Sequence, residues 1–277
     1  MQSLNAKELE RRDASRKYFP VLRRRASRVW DILSAWSWYQ RQRLGPSSDF
    51  YVPPSRLPPM RLRTRVNGLR DLYSFLVTGR ACADDIESAV RSVGRPLASF
   101  QSVLDFGCGC GRTISWLQSR APNTSFTGCD VDAEAIAWCR THLPEARFAV
   151  NAPEPPLDNE DAAFDLIYVI SLFTHFDENA QEAWLDELFR VAKSGGLVLA
   201  TVHGESVWAD YEQELVEPLK THGFAYFVSD PSGSPSFQTS YQSESYVRER
   251  FEKRFKILAY LPQGLNRHQD LVILEKR

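Results

Sequence analysis

The amino-acid order predicts an α/β fold: a mostly parallel sheet with helices on both faces, an antiparallel hairpin at its end and a helical extension in front. Three observations carry this. From Ser102 onward, short apolar runs alternate with helical segments. The first of those runs enters a glycine-rich turn. The last two strand-like runs, 255–261 and 270–276, are separated only by a short loop, which makes them a hairpin.

Taken in chain order, residues 1–45 read as helical with an interruption near Pro20. Leu22, Ala26, Val29, Trp30, Leu33 and Trp36 recur three or four apart, and Arg23, Arg24, Arg25 and Arg28 fill the remaining surface. Gly45 to Ser48 and the stretch Pro53–Pro59 form a linker. Residues 61–93 make a second helical region, punctuated by Gly68 and Gly79. Strands are expected at 102–106, 125–130, 146–150, 164–170 and 197–202, and helices at about 111–120, 133–142, 179–193 and 206–221. Residues 223–245, with Ser232-Gly233-Ser234-Pro235-Ser236, read as a lid or loop. The chain thus divides into a basic helical extension, 1–95, and an α/β domain, 96–277.

Of 277 residues, 43% are hydrophobic and 25% charged, the composition of a globular protein rather than a disordered or fibrous one. The net charge of −1 conceals an asymmetry: residues 1–70 hold 16 Lys/Arg against 5 Asp/Glu, and the remainder 18 against 30. Five cysteines, two in Cys108-Gly109-Cys110, have neither disulfide-framework nor zinc-site spacing. An odd count and no apolar leader or membrane-length run lead to the expectation of reduced thiols in a soluble, cytoplasmic protein. No metal site is expected.

The chemistry concentrates in Val103-Leu104-Asp105-Phe106-Gly107-Cys108-Gly109-Cys110-Gly111-Arg112. Glycines let a ligand approach the backbone, and the following helix offers unpaired N–H groups. A dinucleotide fingerprint would need glycine where Arg112 stands, and a P-loop would need Gly-Lys-Ser/Thr. Past the next strand, Gly128-Cys129-Asp130-Val131-Asp132 sets a carboxylate where it can accept bonds from two ribose hydroxyls. The third strand ends in Asn151-Ala152, whose amide oxygen suits an adenine amino group.

This ordered set resembles the signature of the class I S-adenosylmethionine-dependent methyltransferases, over about residues 100–277 and including the terminal hairpin. The resemblance implies a Rossmann-like methyltransferase fold, a seven-stranded sheet in the order 3-2-1-4-5-7-6, and S-adenosylmethionine as cofactor. It implies that Asp105 orients the methionine ammonium and that Gly107, Gly109 and Gly111, with Cys108 between them, line the methionine moiety. Asp130 with Val131 would hold the ribose, and Asn151 with Ala152 would flank the adenine, although the family more often has Asp where Asn151 stands. Ser171 and Leu172, after the fourth strand, complete the expected cofactor site, and Tyr73 with Arg80 would cap it.

Methyl transfer is an in-line displacement, and aligning its partners can supply about 7–11 kcal/mol. An oxygen acceptor also needs a base. With the family's strand order, His175 after the fourth strand, His203 at the end of the fifth and His268 in the terminal hairpin converge on one rim. His203 is the first choice as base, and His268 the second, either as base or orienting His203 with Asp270. His175 would serve the cofactor or a lid through Phe173 and Phe176. Gln263, Asn266 and Arg267 are candidate acceptor contacts. Ile170-Ser171-Leu172-Phe173 lacks the Asn/Asp-Pro-Pro-aromatic motif of DNA amino methyltransferases, so DNA is not expected as a partner. The expected activity is O-methylation of a small-molecule or glycan-type acceptor. The alternatives are a non-catalytic binding module and an RNA methyltransferase, the last resting only on the Arg-rich head.

Overall fold

The computed structural model describes residues 52, 54–68, 70–209, 213–228 and 238–277. The expected helix over 1–45, with its tryptophan stripe, and residues 229–237 of the expected lid, including Ser232 to Ser236, lie outside the described residues. The chain divides into two compact units, residues 1–76 and 77–277. In the first, helix α1 (Met60–Asn67) ends at Gly68, whose φ of 66° closes it in the left-handed region. Helix α2 (Leu72–Ser92) begins there and runs into the second unit. Gly79 therefore sits inside a continuous helix rather than breaking it: a Cβ at that point would come within 2.7 Å of the Arg112 carbonyl oxygen, so close packing demands glycine.

The second unit holds a seven-stranded sheet built from β1 (Ser102–Phe106), β2 (Ser125–Asp130), β3 (Arg147–Val150), β4 (Phe164–Val169), β5 (Ala192–Val202), β8 (Phe255–Leu265) and β9 (Gln269–Lys276). Their order is β3-β2-β1-β4-β5-β9-β8, the order 3-2-1-4-5-7-6 with the hairpin strands counted as sixth and seventh. The first five strands pair in parallel, and β9 enters antiparallel to both β5 and β8. This is the sheet the sequence predicts.

Intervening helices are α3 (Ile114–Arg120), α4 (Ala133–His142) and α5 (Glu178–Val191). Asp132 and Asp177 cap α4 and α5 by accepting hydrogen bonds from main-chain N–H groups of the first turn. The expected helix over 206–221 is instead two pieces, a single turn α6 (Glu205–Trp208) and α7 (Gln213–His222).

The segment read as a lid contains ordered structure. Strands β6 (Phe224–Val228) and β7 (Gln238–Gln242) form a separate two-stranded antiparallel sheet, and α8 (Glu244–Phe251) follows, capped by Ser243. Alternation in Phe224-Ala225-Tyr226-Phe227-Val228 was the available signal, masked by the Gly/Ser/Pro cluster next to it. The expected hairpin loop is also shorter than Pro262–Gln269, because β8 runs through to Leu265 with a register shift after Leu261.

One sheet face buries Leu104, Phe106, Ile167, Val169, Val198, Ala200 and Val202 against Trp184, Leu185, Leu188 and Val191 of α5 and Val247 and Phe251 of α8. Trp184 is 2% exposed, with its ring 4.5 Å from Phe106 and 6.2 Å from Phe176. Among the described residues no helix is long and apolar enough to cross a membrane. Because Trp184 joins α5, β1 and the loop after β4, Trp184→Ala is expected to lower the unfolding free energy by about 3–5 kcal/mol. A urea titration followed by circular dichroism reads this directly, and an unchanged midpoint would remove Trp184 from the core.

Candidate cofactor and acceptor site

The strand ends on one edge of the sheet carry the expected residues. β1 ends in Gly107 (φ 81°), Gly109 (φ 52°) and Gly111 (φ 75°), all in the left-handed region that favours glycine. Two of the three are also sterically closed: a Cβ on Gly107 would meet the Leu172 side chain at 2.6 Å, and one on Gly111 would meet Leu143 at 2.5 Å. The N–H groups of Gly107 and Cys108 both donate to the Cys129 carbonyl oxygen, at 2.8 and 3.0 Å, which folds the turn over the end of β2.

Asp130 completes that turn. One carboxylate oxygen accepts from the Gly109 N–H at 2.7 Å and the other from the Asp132 N–H at 2.8 Å. Each oxygen keeps a second acceptor site, so the carboxylate can brace the loop and still receive a diol. Burial pushes the Asp130 carboxyl above the usual range, opposed by the backbone N–H groups it accepts from. Val131 (54% exposed) and Val150 (46% exposed) offer apolar surface at the ends of β2 and β3. Asn151 donates through Nδ2 to the Ala152 carbonyl oxygen at 2.7 Å, and its buried Oδ1 has no partner among the described residues.

Asp105 lies under the loop, 3% exposed, in register with Gly128 on β2 and Tyr168 on β4. Burial pushes its carboxyl up to about 7, helped by the charge of Asp130 and opposed by Tyr168 and Arg112. The Tyr168 hydroxyl faces it without well-formed hydrogen-bond geometry. Cys108 is buried, close enough to Gly128 that a Cβ there would meet its sulfur at 2.9 Å. Its thiol, pushed well above the normal value by burial, belongs to the core, leaving only its main chain for a ligand. All five cysteines are buried, and none is in a disulfide.

The side expected to take the acceptor lies around the loop after β4. Ser171 takes φ 62°, unusual for a residue with a Cβ, and three bonds hold it there. Its N–H donates to Thr201 Oγ1 at 2.8 Å, its carbonyl accepts from Thr174 Oγ1 at 2.7 Å, and its Oγ meets the Gln269 carboxamide. Next along the loop, the Phe173 carbonyl oxygen accepts from Gln181 Nε2, Ser240 Oγ and Gln242 Nε2. These last three side chains are at most 1% exposed, so the β6–β7 sheet is locked to this loop by a buried polar network.

The three histidines do converge. The His203 and His268 rings are 5.9 Å apart, and both His268 and His175 act electrostatically on His203. Burial, reinforced by those two neighbours, lowers His203 to about 4, leaving it neutral at physiological pH. Its ring lies 5.3 Å from Tyr241. His175 Nδ1 pairs with the Gln238 carbonyl oxygen at 2.6 Å. Asp270 does not orient a histidine, contrary to expectation. It is buried and accepts from Tyr260 OH at 2.9 Å, from the Gln263 N–H at 2.8 Å and from Ser206 Oγ.

Gln263, Asn266 and Arg267 are exposed, each with φ 52°, and the Asn266 N–H donates to Asp85 Oδ2 at 2.6 Å. Tyr73 stands exposed near the start of α2, in the first compact unit, and Arg80 pairs with Asp84 at 3.9 Å. Among the described residues no group of three or more His, Cys, Asp or Glu is arranged to hold a metal ion. A neighbour of His203 that sequence reasoning passed over is Gln269, whose Nε2 lies 2.8 Å from Ser171 Oγ and 3.4 Å from His203 Nε2. Only its place at the head of β9, opposite His203, signals it.

With this geometry established, the comparisons agree. A family described as a methyltransferase domain matches residues 103–196, the span from β1 into β5. These residues are a class I S-adenosylmethionine-dependent methyltransferase domain. Trans-aconitate 2-methyltransferase of Delftia acidovorans is 35% identical over 137 residues, 49% of this chain and 50% of that protein. A tRNA N(3)-methylcytidine methyltransferase of Drosophila melanogaster is 30% identical over 113 residues, 38% of this chain and 35% of that protein. The chain thus spans half or less of the length of these curated relatives. In fold, it is similar to 1,6-didemethyltoxoflavin-N1-methyltransferase of Burkholderia thailandensis, at a TM-score of 0.53 and 16% identity, covering 82% of this chain and 91% of that one.

The methyltransferase domain's cofactor is S-adenosylmethionine, and the donor set fits it in chemistry. A carboxylate with spare lone pairs suits a diol, an unpartnered amide oxygen suits an amino group, and a buried carboxyl suits an ammonium. Asp130→Ala is expected to weaken S-adenosylhomocysteine binding by about 1.5–3 kcal/mol or more, since it also frees the Gly109 N–H. Equal calorimetric affinities would leave Asp130 as a turn residue only.

Asp105 generates a second expectation. Without cofactor it holds its proton up to about pH 7, and an arriving ammonium favours the ionised form. Binding near pH 6 should therefore release a proton, and the release should fade above about pH 8. Calorimetry in two buffers of different ionisation enthalpy measures it. Release that persists in Asp105→Asn would assign the proton elsewhere.

Proposed function

We propose that this domain transfers the methyl group of S-adenosylmethionine to an oxygen of a small-molecule or glycan-type acceptor, with His203 receiving the acceptor's proton. The observation that carries the reading is the meeting of His203, His268 and His175 beside the loop after β4. When bound, the cofactor supplies a methyl group activated on a sulfonium. Every other task falls to the chain. Asp105, Gly107, Gly109 and Gly111 receive the methionine part; Asp130 and Val131 receive the ribose; Asn151 and Ala152 flank the adenine. Ser171 and Leu172 close the end nearest the acceptor. The similarity to trans-aconitate methyltransferases supports a small-molecule acceptor.

A second reading is methylation of RNA, favoured by the tRNA methyltransferases among the relatives and by the basic residues 1–70. RNA retention that falls steeply with salt, together with methyl incorporation into RNA, would select it.

The test of the first reading is formation of S-adenosylhomocysteine with small-molecule acceptors and the loss of that turnover in variants. His203→Ala is expected to lower turnover by about 10²-fold or more while sparing cofactor affinity. Because the working form is neutral and His203 titrates near 4, activity assigned to it should persist down to about pH 5 and fall below that. A pH profile and rate unchanged in His203→Ala would transfer the role to another group, His268 first.

A further inference from the structure

We propose that Tyr168 is a positioning residue for the cofactor: its buried hydroxyl is the donor held for the Asp105 carboxylate, favouring the charged form that receives the methionine ammonium. This rests on the reading above that gives the ammonium to Asp105, and it adds the group through which Asp105 acts.

Register sets the pair. Asp105 of β1 stands between Gly128 of β2 and Tyr168 of β4. Gly128 brings no side chain, so Tyr168 is the cross-strand partner with a polar group to offer. Strand alternation turns Leu104, Phe106, Ile167 and Val169 into the core beside α5 and sends Asp105 and Tyr168 to the other face. There both are enclosed, at 3% and 1% exposed. The Tyr168 hydroxyl makes no well-formed hydrogen bond among the described residues, although a buried tyrosine ordinarily finds a partner.

The charged and titratable groups acting on this pair come from each element around it. Asp130 and Cys129 lie at the end of β2, Cys108 in the glycine loop, Arg112 just after it and Cys82 on α2. Burial pushes the three thiols up, so they stay neutral at working pH. Tyr168 is raised well above its ordinary value too, first by burial and then by the charge of Asp105, and remains a donor.

For Asp105, burial and Asp130 favour the protonated carboxyl, while Tyr168 and Arg112 favour the carboxylate. A hydroxyl bonds a carboxylate roughly twice as strongly as it bonds a neutral group. The Tyr168 donor is therefore best used once Asp105 ionises, its proton leaving to the buffer as the ammonium arrives. An unpaired hydroxyl in the empty site becomes a paired one in the loaded site.

Carbon-13 spectra of the full chain, labelled at the aspartate carboxyls, follow Asp105 without any cofactor, and Asp105→Asn assigns its signal. The wild type should titrate at about 7. Tyr168→Phe keeps the ring in the core and removes only the hydroxyl, so it should raise that midpoint by about one unit or more. S-adenosylhomocysteine should then bind the variant about tenfold more weakly at about pH 6 and as tightly as the wild type at about pH 9. Proton release, which fades above about pH 8 in the wild type, should persist to about pH 9 in the variant. In an Asp105→Asn background, Tyr168→Phe should leave the pH dependence of binding unchanged.

An Asp105 midpoint unmoved or lowered in Tyr168→Phe would overturn the proposal. So would an affinity loss of equal size across that pH range, which is what a purely structural role produces. Asp105→Asn that binds S-adenosylhomocysteine as tightly as the wild type, with the same proton release, would instead overturn the reading beneath it. The two failures are thereby distinguished.

Discussion

The carboxylate of Asp130 is the fixed point around which the cofactor side is arranged. It accepts N–H groups from both the glycine loop and the turn into α4, tying the ends of β1 and β2 together. Gly109 can offer its N–H in this direction because it adopts positive φ, and the turn comes close because Gly107 and Gly111 have no side chains to collide with Leu172 and Leu143. Asp132, two residues on, caps α4 through Glu134 and Ala135. One short acidic segment therefore ends a strand, shapes a loop and starts a helix. The spare lone pairs of Asp130 remain for the diol that the proposed reading assigns to it.

The acceptor side depends on a different device. The loop after β4 departs from regular structure at Ser171, and its polar groups are met by side chains from distant parts of the chain. Thr201 comes from β5, Gln269 from β9, Gln181 from α5, and Ser240 and Gln242 from β7. Buried polar groups of this kind are costly when unpaired and specific when paired. The small sheet β6–β7 thus becomes a wall of the site rather than an ornament on the domain, and Tyr241 carries that wall to His203.

The two sides also differ in charge. Asp105 and Asp130 bring acid to the side proposed for the cofactor, and burial holds both carboxyls above their usual range. The opposite side is neutral: His203 is kept uncharged by burial and by its histidine neighbours, and Gln269 and Ser171 add dipoles without charge. On the proposed reading, a cationic donor would lie beside neutral hydrogen-bonding groups, an arrangement suited to transfer to oxygen.

The sheet was legible in the sequence because its signals are local. Apolar runs of strand length, glycines at a positive-φ turn and a carboxylate two residues before a helix cap all act within a few residues. Strands β1 and β2 and helix α4 fall where the pattern puts them. The convergence of His175, His203 and His268 was also legible, but only through the strand order that the glycine motif implies. The sequence could not reveal that Asp270 serves Tyr260 and Ser206 instead of a histidine, that Cys108 turns into the core, or that 224–242 adds two strands to the acceptor wall. Nor could it single out Gln269, an ordinary polar residue at a strand start. Those outcomes hang on contacts between residues tens of positions apart, whose partners are set by sheet register and packing. Sequence alone determined the fold and the glycine loop, and the tertiary structure decided which polar groups meet around the loop after β4.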